Sequence, residues 1–205
     1  MFTGIVQAAL PVHAIIRKPQ LHTLTLRFPP ELGAGLRLGA SVAVNGVCLT
    51  VARLGADGAV DFDVMMESLR ITNLGGLEEG ARVNVERAAR FGDEIGGHPL
   101  SGHISDTVAI TAIEAPQNNR VLTFRAAPRW MKYILPKGYV ALNGCSLTVG
   151  QVGDDWFNVY LIPETLRITT FGEARVGDRV NLELDSQTQA IVDTVERVLA
   201  QRGLG

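Results

Sequence analysis

Cys48 stands two residues before Thr50, and Ser146 two residues before Thr148. In an extended strand alternate side chains share a face, so each pair offers one surface two hydrogen-bonding groups. Cys48 and Ser146 are also candidate nucleophiles. The plain alternative for Cys48 is a small buried hydrophobe. His103, between Gly102 and Ile104, is the natural candidate for proton transfer, since an imidazole titrates near neutrality; the plain alternative is a structural histidine. His98 in GGHPL is a second candidate, while His13 and His22 sit in no motif and are expected at the surface. Lys137 occupies a Pro-Lys-Gly loop, where a solvated lysine is the ordinary case. Glu67 and Glu164 are favourable charges for a first helical turn, and Asp185 suits a helix N-terminus. Cys48 and Cys145 are the two cysteines; they form no CxxC, and no His/Cys cluster has zinc spacing. No metal is expected, and in a reducing compartment no disulfide either.

These residues lie in a repeat. Residues 42–51 read VAVNGVCLTV and residues 140–149 read VALNGCSLTV, identical at seven of ten positions with an offset of 98. ESLRITNLG at 67–75 returns as ETLRITTFG at 164–172, with six of nine matching at an offset of 97. Arg82-Val83-Asn84 returns as Arg179-Val180-Asn181, and Gly4 in MFTGIV pairs with Gly102 in PLSGHI. Four blocks in constant order mark a duplicated domain; a solenoid would have shorter and more numerous units.

Each half reads as short strands. Residues 41–51 are rich in Val, Leu and Thr around Asn45-Gly46, which signals a turn or a bulge in a bent strand. Residues 60–64 and 82–86 alternate, and Gly55-Ala56-Asp57-Gly58 and Gly153-Asp154-Asp155 are loops. Residues 67–74, 128–135 and 164–171 read as short helices. Closing the sheet removes exposed edges, so the pattern predicts an all-β chain of two tandem six-stranded barrels. In residues 187–201, Ile191, Val192, Val195, Val198 and Leu199 form the stripe of an amphipathic helix, able to pack on its own barrel or against copies of itself. The expected division is 1–97, 98–186 and 187–205, with disorder confined to Arg202-Gly203-Leu204-Gly205. The net charge of −2 and the lack of a basic stripe argue against nucleic acid. No uncharged apolar run approaches the ~18 residues of a membrane helix, and the N-terminus lacks a signal peptide's basic region. A cytoplasmic protein is expected, with no membrane partner.

MFTGIV, NGVCLTV, ESLRITNLG, NVERAARFGDEIGGHPLSGHI, MKYILPKGYVALNGCSLTV and LIPETLRITT, in this order, resemble the riboflavin synthase family over residues 1–199. The resemblance implies two Greek-key barrels and a C-terminal helix that joins a homotrimer, with active sites between subunits and lumazine synthase as a further partner. It implies that two molecules of 6,7-dimethyl-8-ribityllumazine dismutate, by transfer of a four-carbon unit, to riboflavin and 5-amino-6-ribitylamino-pyrimidinedione. The electron-poor lumazine needs no cofactor for this, and no nucleotide-binding fingerprint is present.

Carried onto this chain, the resemblance places Gly4, Ile5 and Val6, and correspondingly Gly102, His103 and Ile104, against the substrate. Cys48, Leu49 and Thr50 join them, as do Ser146, Leu147 and Thr148. So do Lys137, the stretch Asp63, Val64, Met65, Met66, Glu67 and Ser68, and its counterpart Leu161, Ile162, Pro163, Glu164, Thr165 and Leu166. It gives His103, Cys48, Ser146, Asp185, Phe2 and Ser41 catalytic parts. Donor and acceptor differ, so the informative positions are those where the repeats disagree: Cys48 against Ser146, Ile5 against His103, Gly39 against Lys137, Ser41 against Tyr139, Ala88 against Asp185. Asn143 stands where some relatives are expected to carry Asp; any proton transfer assisted by an anion there must be done otherwise. Three other readings are a non-catalytic lumazine protein, a flavin-binding reductase barrel and a protein-binding β-module. The retained polar residues of the second half speak against the first, the missing nucleotide-binding domain against the second, and the matched polar positions against the third.

Overall fold

The computed structural model describes residues 1–203; Leu204 and Gly205, the end of the expected C-terminal segment, lie outside it. The first half holds β1 (Ala8–Lys18), β2 (Leu21–Arg27), β3 (Ser41–Val44), β4 (Val47–Leu54), β5 (Ala59–Met65) and β6 (Arg82–Arg87). The second holds β7 (Asp106–Glu114), β8 (Arg120–Arg125), β9 (Tyr139–Leu142), β10 (Cys145–Val152), β11 (Trp156–Leu161) and β12 (Arg179–Leu184). The helices are α1 (Pro30–Gly33), α2 (Met66–Ile71), α3 (Pro128–Met131), α4 (Pro163–Ile168) and α5 (Ser186–Gln201). Each half closes into a six-stranded antiparallel barrel, ordered β1-β2-β5-β4-β3-β6 and β7-β8-β11-β10-β9-β12. β2 and β3 follow one another in the chain but lie apart in the barrel, the Greek-key crossover the resemblance implied.

Asn45-Gly46 and Asn143-Gly144 are two-residue hairpin turns rather than bulges. φ is 46° at each Asn, 80° at Gly46 and 77° at Gly144. Both central residues at positive φ make the primed turn that matches strand twist, and Asn-Gly tolerates it best. The flanking strands alternate as expected. Val42, Val44, Leu49, Val51, Phe62, Val64, Val83 and Val85 fill the first barrel. Their counterparts fill the second, where Phe124 and Phe157 stack with centroids 5.4 Å apart. Full burial of each such side chain contributes about 1.5–3 kcal/mol.

The two hairpin turns meet between the barrels. A Cβ on Gly46 would lie 2.6 Å from the Gly144 nitrogen, so only glycine allows this approach. Around them the asparagines bond reciprocally. Asn84 Nδ2 donates to the Asn143 carbonyl at 3.0 Å, and Asn181 Nδ2 to the Asn45 carbonyl at 2.8 Å. Asn143 Oδ1 accepts from the Asn181 backbone at 2.9 Å and from Asn73 at 3.0 Å. The Asn143 amide is thus engaged in joining the barrels.

The segments ahead of β1 and β7 cross over. Phe2 and Leu100 exchange two backbone hydrogen bonds of 2.9 Å each, and with Ala43 and Ala141 they form a small apolar plug. Val6 belongs to the core of the second barrel, while Ile104 packs against the core of the first. Each barrel is therefore completed by residues that the other carries in sequence.

α5 buries no residue fully: Val192 rests on the second core, while Ile191, Val195, Val198 and Leu199 remain exposed. Tyr133 donates to Asp193 and Lys132 to Glu196, which fix the helix against α3's end. Among the described residues no helix is long and apolar enough to cross a membrane.

Candidate active site

The alternation of β4 and β10 turns Cys48 and Thr50, and likewise Ser146 and Thr148, onto the outer wall of each barrel. Cys48 and Ser146 are half-buried and both threonines exposed, while Leu49 and Leu147 between them point into the cores. β3 and β9 add one more side chain to each wall: Ser41 lies directly opposite Thr50, and Tyr139 directly opposite Thr148. Of the remaining expected site residues, Val6, Val64 and Leu161 also face the cores and can offer only backbone to a ligand.

The crossed segments roof these walls. The Gly4 carbonyl accepts from the Ser146 N–H at 2.8 Å, and the Gly102 carbonyl from the Cys48 N–H at 2.9 Å. Both glycines have positive φ, and a Cβ would come within 2.4 Å of Ser146 Cβ at Gly4 and within 2.6 Å of Cys48 Cβ at Gly102. Position two therefore seats Phe2 in the apolar plug, one step from this roof. Ile5 stands exposed beside the Ser146 wall and His103 exposed beside the Cys48 wall. His103 is thus brought to Cys48 rather than to Ser146 of its own half.

The imidazole that meets Ser146 is His98. Its Nδ1 lies 2.6 Å from Ser146 Oγ, and its ring stacks on Tyr139 with centroids 5.1 Å apart. Gly97 makes room for this: a Cβ there would lie 2.7 Å from Ser146 Cβ. His98 is buried, which pushes its pKa down despite the opposing charge of Asp185. With a neutral ring, Nδ1 can accept the Ser146 hydroxyl proton. Among the described residues the buried Nε2 has no hydrogen-bond partner, an unusual state for an imidazole nitrogen. Asp185 caps α5, accepting from the Thr188 N–H at 2.9 Å and the Thr188 hydroxyl at 2.6 Å. Desolvation acts upward on its carboxyl, but those hydrogen bonds outweigh it and hold the pKa below the ordinary value.

The other expected residues lie on β5 and β11, in the helices that follow them, and just ahead of β9. Asp63 accepts from the Thr23 hydroxyl at 2.7 Å. Met65, Met66 and Ile162 are exposed, and Pro163 opens α4. Glu67 and Glu164 form (i, i+3) pairs with Arg70 and Arg167 at 2.8 and 2.6 Å. Ser68 and Thr165 accept at their carbonyls from Thr72 and Thr169, closing α2 and α4, with Leu166 half-buried beneath. Lys137 is exposed at φ 67°, a left-handed backbone where the first half has Gly39. Cys48 and Cys145 are both free thiols. Burial and the nearby Glu86 charge push the Cys145 thiol up to about 12, so it is inert. A separate cleft of about 660 Å³ between the barrels, lined by Asn45, Asn73, Asn143, Arg70, Arg82 and Arg179, contains none of the residues expected to bind substrate or act in catalysis.

The family described as lumazine binding domain matches this chain twice, at residues 3–88 and 101–185. Riboflavin synthase of Escherichia coli (strain K12) is 53% identical over 203 residues, covering 98% of this chain and 95% of the relative. That of Chlamydia pneumoniae is 42% identical, covering 99% of each. Among solved structures, LumP complexed with riboflavin superimposes with a TM-score of 0.83 at 28% identity, covering 91% of this chain and all of that one. LumP complexed with 6,7-dimethyl-8-(1'-D-ribityl) lumazine gives 0.82 at 25%. With two matched domains, two closed barrels and full-length relatives of this similarity, the chain belongs to the riboflavin synthase family.

Proposed function

We propose that this chain is a riboflavin synthase, which dismutates two molecules of 6,7-dimethyl-8-ribityllumazine to riboflavin and 5-amino-6-ribitylamino-pyrimidinedione. The observation that carries this is the full-length identity of 53% to a riboflavin synthase, against 28% to LumP, the binding protein of the same fold. The two products contain every atom of the two substrates, so no oxidant or reductant enters. What the protein must supply is two pockets for one kind of molecule, a base and a nucleophile. Holding two lumazines in register removes the entropy of their encounter, which in favourable cases lowers the barrier by about 7–11 kcal/mol.

The two walls serve as the two pockets. In the pocket roofed by Gly4, His98 draws the proton from Ser146, and the oxygen so freed either adds to the electron-poor ring or relays a proton from its acidic methyl. In the pocket roofed by Gly102, Cys48 and Ser41 hydrogen-bond the heterocycle, and His103 is the proton carrier at the mouth. Lys137 and the backbone of residues 63–68 and 161–166 meet the pyrimidine and ribityl oxygens. The exposed stripe of α5 joins copies of the chain into a trimer. There the first barrel of one subunit faces the second barrel of another. A pathway enzyme acting on soluble metabolites works in the cytoplasm.

The decisive experiment mixes the protein with the lumazine, with nothing else added, and follows riboflavin by absorbance and the pyrimidinedione by chromatography. Equal amounts of the two products are expected. Tight, fluorescence-changing binding without turnover would show a lumazine-binding antenna instead.

A further inference from the structure

Two buried carboxylates have no part in the chemistry above. Glu86 on β6 and Glu183 on β12 occupy equivalent places in the repeat, and each is only 4% exposed. Among the described residues neither forms a salt bridge; their hydrogen-bond partners are the crossed segments. Glu86 Oε1 accepts from the Thr3 N–H at 2.6 Å and the Thr3 hydroxyl at 2.8 Å, and its Oε2 from the Gly4 N–H at 3.0 Å. Glu183 Oε1 accepts from the Ser101 N–H and hydroxyl, both at 2.8 Å, and from the Gly102 N–H at 3.1 Å. The hydroxyls pass the hold one step further. Thr3 Oγ1 accepts from the Ile5 N–H at 3.3 Å, and Ser101 Oγ from the His103 N–H at 3.1 Å. Such a cost is incurred for a reason: burial drives both carboxyls above their ordinary pKa, and the backbone and hydroxyl donors only partly offset it.

The connectivity is crossed. Glu86 belongs to the first barrel, yet the loop it grips lies on Ser146 of the second. Glu183 belongs to the second barrel, and its loop lies on Cys48 of the first. We propose that Glu86 and Glu183 are positioning residues, each fixing the glycine loop that roofs the pocket of the opposite barrel. Glu183 in addition sets the backbone of His103 at the mouth of the Cys48 pocket. For its bearing on turnover this assignment rests on the proposed reaction, but the crossed geometry can be tested without any turnover.

Cys48 is the reporter. It is half-buried under Gly102, whereas Cys145 is buried and inert. The rate at which an aromatic disulfide reagent labels Cys48 therefore reads how often the Gly102 roof lifts. A Cys48→Ser/Ser146→Cys chain moves the reporter under Gly4. Glu183→Ala should speed labelling at position 48 by about tenfold, the factor for one buried hydrogen bond of ordinary net worth. It should leave labelling at position 146 within about twofold, as for independent sites. Glu86→Ala should do the reverse. If either alanine variant fails to fold, as judged by circular dichroism, Ser101→Ala and Thr3→Val remove one hydroxyl donor from each grip and carry the same crossed expectation. Glu183→Gln, which keeps an oxygen where all three donors converge, should restore the slow rate at Cys48. Acceleration in the variant's own barrel, equal acceleration at both positions, or none at either would overturn the assignment.

Discussion

At the scale of single residues, the pairing of His98 with Ser146 gives the sharpest expectations. His98→Gln or Ser146→Ala should lower kcat by about a hundredfold or more, the usual worth of positioned acid–base help. Riboflavin binding, read by fluorescence quenching, should change far less. His98 also makes stability depend on pH. Its folded pKa lies below the ordinary 6.5, so as pH falls through that value the unfolded chain binds a proton that the folded chain refuses. Melting temperature should therefore decline on acidification from neutral pH, and His98→Gln should flatten the decline. Lys137 offers the opposite balance. Its left-handed backbone costs on the order of 1 kcal/mol, which glycine avoids. Lys137→Gly should melt no lower than the parent while raising KM for the lumazine. The residue types were legible in the sequence because alternation places Cys48 with Thr50 and Ser146 with Thr148. The importance of His98 was not, since its contact with Ser146 spans 48 residues and depends on the room left by Gly97.

At the scale of elements, the strands, their closure and the terminal helix followed from periodicity and turn residues, and α2 and α4 from the repeated ESLRIT and ETLRIT. α1 was missed, because the Pro29-Pro30 start of so short a helix reads as a loop. The role of Asn45-Gly46 as turn or bulge was settled only by the fold, and so was the reason for its repetition. The two turns must touch each other. Gly46→Ala or Gly144→Ala would put a methyl against backbone, not against a side chain that can swing away. Either change should destabilise the chain by about 2–3 kcal/mol. Urea unfolding would measure it, and the same change at exposed Gly35, where nothing lies within 4 Å, should cost less.

At the scale of the whole molecule, the duplication was plain in the sequence, but the crossing of the two leading segments was not. Repeat alignment matches Gly4 with Gly102 and is silent on which barrel each one serves. That depends on the path of the chain between barrels, which local pattern does not encode. The exposed seam of α5 bears on assembly. Ile191→Glu together with Val195→Glu should leave the barrels folded, since neither residue is buried, and should convert the proposed trimer to monomers in sedimentation. Turnover should fall with the trimer if the active sites lie between subunits.

The crossed leading segments also bear on how such a chain can be recombined. The contiguous half is not the exchangeable unit. A chimera that takes its second barrel from a relative would place a foreign Gly102 loop on the resident Cys48 wall, and the resident Gly4 loop on a foreign Ser146 wall. Both interfaces would be hybrid at once, although neither barrel's own sequence had been broken. Grafts that trade residues 1–6 together with the second barrel would keep one roof and its wall from the same parent, so breakpoints near Gln7 should yield working hybrids more often than breakpoints at the repeat boundary.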